Sequence, residues 1–311
     1  MRVTVRAPAT SANLGAGFDC LGLALALHNE ITLDLDAPPG ITITGEGART
    51  LPRDERNLAH RTVRRFFQEI GRPLPAFALH LHNRIPLTGG LGSSSATLVG
   101  ALLAANAVAG QPCSTMDLLT LAYQLEGHPD NVAPALLGGC VLVVVDDGRL
   151  VPVPIPLPPG LRAVIFCPHF TIPTREARAL LPPAVPYRDA VFNLGRAALF
   201  VAACTTGRLD LLRLATQDAL HQPYRQKLFP TMPRFFEAAL AAGALGVWLS
   251  GAGSALLALT TTETAPVAAA FEHTAAATGT PGRVIVTEIS PTGAQILTTE
   301  NADVRSAGAP P

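Results

Sequence analysis

The sequence predicts an α+β protein built as two lobes, and three observations carry that reading. The chain has 311 residues, long for one hydrophobic core and ample for two. Strand-like and helix-like runs are mixed along its length rather than segregated. The segment VPVPIPLPPG at 151–160 excludes helix by its alternating prolines and fits only an edge strand or an extended linker. The lobes are therefore expected to be 1–155 and 156–300, with 301–311 a flexible tail.

The elements follow from local pattern. VTVRA at 3–7, EITLDLD at 30–36, ITITG at 41–45 and FALHLHN at 77–83 alternate as strands do, with PPG a turn between the second and third. NLAHRTVRRFFQEIG at 57–71 is amphipathic, with Asn57 placed to cap it and Gly71 to end it. SSATLVGALLAANAVAG is apolar on every side and reads as a buried helix. STMDLLTLAYQLEG opens with Ser114 and Asp117 at capping-box spacing. GGCVLVVVDDGRL is a core strand leading to a turn. Beyond the prolines, RAVIFCP is a strand. Helices are expected near 174–181, 190–206, 209–219, 231–242 and 264–277, with VWLSG, ALLALT, RVIVTEI and AQILTT as strands.

Composition narrows the function classes. With 48% hydrophobic and 15% charged residues the chain belongs with globular proteins, not disordered ones. Its formal net charge is zero, so no basic surplus points to nucleic acid or to an anionic membrane. The N-terminus lacks an apolar signal core, and CVLVVV at 140–145 is too short to span a bilayer. The five cysteines, Cys20, Cys113, Cys140, Cys167 and Cys204, contain no CxxC and read as thiols in a reducing compartment. A cytoplasmic protein is expected. Lys227 is the single lysine against twenty-two arginines, so a cationic ligand contact is expected to be an arginine.

The stretch PLTGGLGSSSATLVGALL at 86–103 is built like a phosphate grip without the lysine of a Walker loop. A glycine-rich turn feeding a helix aims successive backbone N–H groups at one point. The helix start adds about half a positive charge, and a serine in the first turn can ligate Mg2+. The bland alternative is a small-residue helix start packed against a neighbour, and for the bare stretch the two readings weigh about equally.

Context separates them. Pro86, Gly90, Leu91, Gly92, Ser93 and Ser94 resemble the P-x-x-x-G-L-G-S-S-A-A loop of the GHMP kinases, with Ser95 where alanine is usual. RAPATSANLGAGFDCLGLAL at 6–25, LEGHPDNVAPALLGG at 125–139, TIPTREARALLP at 171–182, HQPYRQKLFP at 221–230 and WLSGAGSALLAL at 248–259 resemble further blocks, in order, of the homoserine kinase family within that superfamily. The resemblance implies a two-lobed fold. Its N-terminal lobe is like ribosomal protein S5 domain 2, and its C-terminal lobe is a ferredoxin-like α/β sandwich. It implies ATP and Mg2+ as cofactors, L-homoserine as substrate and a homodimer.

It also implies roles. Asn57, Pro86, Gly89, Gly90, Leu91, Gly92, Ser93, Ser94, Ser95 and Ala96 would bind the nucleotide, and Ser94 and Glu126 the metal. Asn13 and Asp19 would hold the substrate's amino group and backbone, Arg178 and Arg225 its carboxylate. His128, Asp130 and Asn131 would bind substrate, the last two at the catalytic centre. Thr174 would touch the phosphoacceptor, while Gly251 and Gly253 close the site. Singly, each has a plainer reading: Asn57 as a helix cap, Arg178 on a solvated face, 128–131 as a loop with a helix cap. Together, with charges complementary to one amino acid, the functional reading prevails. Two alternatives remain: another GHMP kinase of mevalonate type, and a non-catalytic ligand sensor on the same fold.

Overall fold

The computed structural model describes residues 1–87, 89–261 and 263–300. The expected flexible tail, 301–311, lies outside them. The first lobe is a seven-stranded sheet covered by helices. β1 (Arg2–Ala12) and β2 (Leu21–Asp34) pair antiparallel along their length with a register shift at Pro8/Ala9. β3 (Gly40–Gly45) is joined through α1 (Leu58–Glu69) to β4 (Ala78–Asn83), its parallel partner. That register sets Thr42 and Thr44 beside His80 and His82, each imidazole Nδ1 bonding a threonine hydroxyl at 2.7 and 2.8 Å.

α2 (Ser93–Val108) is buried over most of its surface, as its all-round apolar sequence requires. It lies against β1 and β2, and Gly100 permits the approach: a Cβ there would meet Ile31 Cδ1 at 2.5 Å. α3 (Thr115–Glu126) opens with the reciprocal Ser114–Asp117 capping box. α4 (Pro129–Leu137) starts at the segment whose plainer reading is a loop with a helix cap. Pro129 occupies the first helical position, where its missing N–H costs nothing, and Pro134 sits inside. β5 (Cys140–Asp146) pairs with β2 and with β6 (Arg149–Ile155). Among the described residues no strand pairs with the outer side of β6, which is how it accommodates Pro152 and Pro154.

The second lobe begins at β7 (Arg162–Pro168), followed by α5 (Thr174–Ala179), α6 (Tyr187–Thr206), and two single-turn helices, α7 (Leu212–Ala215) and α8 (Gln222–Arg225). The helix expected at 209–219 is thus only a 3-10 turn and α7. Then come α9 (Met232–Ala241), β8 (Gly246–Leu249), β9 (Leu256–Thr260), α10 (Ala265–Thr278) and β10 (Gly282–Glu288). The antiparallel order β10-β7-β9-β8 is the 4-1-3-2 order of a ferredoxin-like sheet. Phe166, Phe235 and Phe271 pack together in its core, Phe166 and Phe235 stacked at 4.6 Å.

One strand departs from the expected division. β11 (Gln295–Glu300), read as part of the second lobe, pairs antiparallel with β1 and joins the first sheet. β1 otherwise presents an open edge there, and pairing satisfies its backbone. No helix among the described residues is long and apolar enough to cross a membrane.

Candidate active site

A cavity of about 330 Å³ opens between the lobes, of the size that holds small ligands. One end is the glycine-serine loop after β4. Gly90 and Gly92 have φ of 76° and 63°, the left-handed region that favours glycine. Space also requires them: a Cβ would lie 2.0 Å from Ser250 O at Gly90 and 1.9 Å from Thr10 Oγ1 at Gly92. The loop's carbonyls are tied to the protein. Gly89 O accepts from Ala255 N at 2.9 Å, Gly90 O from Ser250 Oγ at 2.6 Å, and Leu91 O from Thr10 N at 3.1 Å. Among the described residues the N–H groups of 89–95 have no acceptor. The carbonyls therefore fix a row of unpaired amides at the start of α2.

Pro86, Gly89, Gly90, Leu91, Gly92, Ser93, Ser94 and Ser95 all border the cavity. Ala96 does not. It is fully buried and its N–H donates to Gly92 O at 2.8 Å, so the first helical bond consumes the amide the sequence reading offered to nucleotide. The three serines diverge. Ser93 Oγ is turned inward, 3.4 Å from Asn29 Nδ2. Ser94, exposed, and Ser95, buried, both donate to Glu126 Oε1, at 3.1 and 2.8 Å. Glu126 is the last residue of α3, and Gly127 with φ 86° ends that helix there, so the carboxylate arrives beside the start of α2. Asn57 also borders the cavity, but both ends of its amide are engaged. Oδ1 caps Ala59 N at 2.9 Å and Nδ2 donates to Pro52 O at 2.8 Å. Leu51, Leu58, Leu81 and Leu87 make this side of the cavity apolar.

The opposite end is charged. Arg178, on α5, forks onto Asp19 with bonds of 3.0 and 2.8 Å. The sequence reading assigned these two to opposite ends of a ligand, whereas in the structure they satisfy each other. Arg225 is 2% exposed. Burial, then the neighbouring Arg178 charge, lowers its pKa to about 10. Its Nη1 donates to Gly251 O at 2.8 Å, a carbonyl that also accepts from Asn13 Nδ2 at 2.9 Å. Asn13 Oδ1 in turn accepts from Asp19 N at 3.0 Å, so Asn13 shapes the turn that presents Asp19. Gly251, Gly253 and Thr174 complete this wall.

Between the ends lie His128, Asp130 and Asn131, delivered by the first turn of α4 and its N-cap. Thr10 Oγ1 donates to Asn131 Oδ1 at 2.7 Å. That fixes the amide and leaves Nδ2 as the free donor. Thr10 was not among the residues singled out from sequence, since a threonine inside a strand carries no signal. Asp130 is 3% exposed, and its Oδ1 lies 3.2 Å from His128 Nδ1. The contact is short, but its angles are poor for a hydrogen bond. Burial lowers the His128 pKa, but Asp130, followed by Glu126, raises it more, and the net shift is upward from 6.5. A histidine raised on folding stabilises the protein fully below its unfolded pKa and loses that contribution as pH rises through the folded value. Stability of the wild type measured by urea unfolding is therefore expected to fall as pH rises above about 6.5, relative to His128→Asn, which should lack that slope. A parallel course for both proteins would remove His128 as the cause.

A two-lobed cleft with free amides at a helix start on one side and paired charges on the other defines a small-molecule phosphotransferase. Comparison with known proteins agrees. The GHMP kinases N terminal domain matches residues 57–139 and the GHMP kinases C terminal domain residues 200–276. Homoserine kinase of Moorella thermoacetica is 50% identical over 254 residues, covering 82% of this chain and 86% of its own. That of Carboxydothermus hydrogenoformans is 41% identical over 293 residues, covering 94% and 96%. The crystal structure of homoserine kinase from Cytophaga hutchinsonii superposes with a TM-score of 0.86 at 33% identity, covering 95% of this chain and 97% of that one. The chain belongs to the homoserine kinase family of the GHMP kinases.

Proposed function

We propose that the protein transfers the γ-phosphate of MgATP to the side-chain hydroxyl of L-homoserine, giving O-phospho-L-homoserine and ADP for threonine biosynthesis. One observation carries this reading: a single cavity joins the unpaired amides of 89–95 to Asp19, Arg178 and Arg225. L-Homoserine matches that set, because its carboxylate suits the guanidinium groups, its ammonium suits Asp19, and its hydroxyl then points toward the loop. Mevalonate has no ammonium to offer Asp19.

In the reaction the homoserine hydroxyl oxygen bonds to the γ-phosphorus as the bond to the bridging oxygen of ADP breaks, and the hydroxyl proton passes to an oxygen of the transferring phosphoryl group and from there to water. A loose transition state needs little early removal of that proton. Asp130, held against His128, serves to place substrate together with Asn131 Nδ2, and rate comes from positioning and from the amides that receive phosphate charge.

Ser94 Oγ and the Glu126 carboxylate are hard oxygen donors 3.1 Å apart. Among the described residues no cluster of three His, Cys, Asp or Glu surrounds them. That donor set fits Mg2+, which keeps water and phosphate oxygens as its remaining ligands, and when bound the ion neutralises charge on the transferring phosphate. Glu126→Gln is expected to raise the Mg2+ concentration for half-maximal rate about tenfold or more, the scale of losing one anionic ligand. An unchanged Mg2+ titration would remove Glu126 from this role.

An ADP-release assay with L-homoserine and with mevalonate tests the assignment. Turnover of L-homoserine supports it. Turnover of mevalonate alone overturns it, and ATP binding without turnover of any alcohol would indicate a sensor.

A further inference from the structure

Arg225 is held by a buried histidine outside the substrate-binding set described above. His221 is fully buried at the start of α8, one helical turn before Arg225. Its Nδ1 lies 3.1 Å from Arg225 Nη1 and its Nε2 2.8 Å from Gly15 O. A guanidinium only donates and a carbonyl only accepts. Nδ1 is therefore the acceptor and Nε2 carries the proton, a tautomer fixed by both neighbours. The surroundings keep the ring still. Phe18 stacks on it at 5.1 Å and 26°, and the Arg225 guanidinium carbon lies 5.3 Å from the same phenyl centroid. The Asp218 side chain, also fully buried, accepts from the N–H groups of Leu220, His221 and Gln222 at 3.0, 2.9 and 2.6 Å, which pins the turn carrying the histidine. Burial and the Arg225 charge lower the imidazole's pKa against the opposite pull of Asp218 and Asp19, so the ring is neutral at neutral pH and Nδ1 remains free to accept.

The consequence falls on Arg225. Its Nη1 has two protein acceptors, His221 Nδ1 and Gly251 O. Nη2 bonds nothing among the described residues, and the side chain borders the cavity. Two fixed points on one nitrogen set the plane of the fork and so the direction of the free one. We propose that His221 is a positioning residue for substrate recognition: as a neutral acceptor at Nδ1 it aims Arg225 at the carboxylate of the amino-acid substrate. This rests on the function proposed above and names what orients one of its binding groups.

Asparagine places an amide group where Nδ1 stands and can still accept from Arg225. Glutamine reaches the place of Nε2, keeps the bond to Gly15 O and leaves Arg225 Nη1 short of one acceptor. His221→Ala is expected to raise KM for L-homoserine about 10- to 100-fold with kcat and KM for ATP within about threefold, the scale of losing a buried bond to a charged group. His221→Gln should resemble His221→Ala, and His221→Asn should recover most of the affinity. A merely structural histidine would instead lower melting temperature in all three variants without separating the two substrates' KM values. If the alanine variant does not fold, the contrast between asparagine and glutamine decides. Equal KM values for L-homoserine in those two variants overturn the proposal. Wild-type enzyme in the same assay is the control: absence of turnover there overturns the function itself, and this inference with it.

Discussion

Gly92→Ala is expected to lower kcat/KM for ATP by about 10²- to 10³-fold, the loss seen when a preorganised donor to a developing anion is removed. The added methyl has no room, because its carbon would sit 1.9 Å from Thr10 Oγ1 and 3.2 Å from Asn131 Oδ1. The backbone φ of 63° is also unfavourable for alanine. Relief requires the loop to move, which shifts the amides of 89–95 and disturbs the Thr10–Asn131 bond. Steady-state kinetics, ATP titration calorimetry and a melting curve together test this. A folded variant that binds and uses ATP as the wild type does would show that these amides do not hold the phosphates.

Asp19→Asn should change which substrate the enzyme prefers. Asp19 offsets Arg178, which lies close enough to Arg225 to lower its pKa. Removing the carboxylate leaves Arg178 and Arg225 facing the cavity without the anion assigned to the ammonium. The expected outcome is a fall in kcat/KM for L-homoserine of about 10- to 100-fold, the scale of one charged hydrogen bond. Turnover of 4-hydroxybutanoate, which lacks the ammonium, should hold or improve. Because Asp19 and Arg178 are each about a third exposed, solvent moderates the effect. An equal loss for both alcohols would mean that Asp19 only scaffolds Arg178.

What could be read from sequence follows from how local each cause is. The glycine-serine loop was legible because left-handed glycines and an apolar helix start are properties of adjacent residues. The Ser114–Asp117 capping box was legible for the same reason. Asn57 carried two readings, cap and nucleotide contact, and its engaged amide favours the cap. The Asp19–Arg178 pair was not legible, since 159 positions separate its members and charge matching against a ligand gave each a partner elsewhere. His221 lay inside the quoted HQPYRQKLFP block, but its tautomer and its hold on Arg225 appear only once Gly15 is brought to its other side. Of α4 only the cap was legible, because Asp and Asn favour helix starts, while Pro134 inside it gives no helix signal.

The pairing of β1 with β11 bears on how the chain is made. Arg2 stands opposite Glu300, a closure spanning nearly the whole described length. During synthesis the outer side of β1 must wait until the last described strand has emerged from the ribosome, long after β2 is available. Pairings so distant in sequence close slowly, and an exposed strand edge invites association with other chains in the interval.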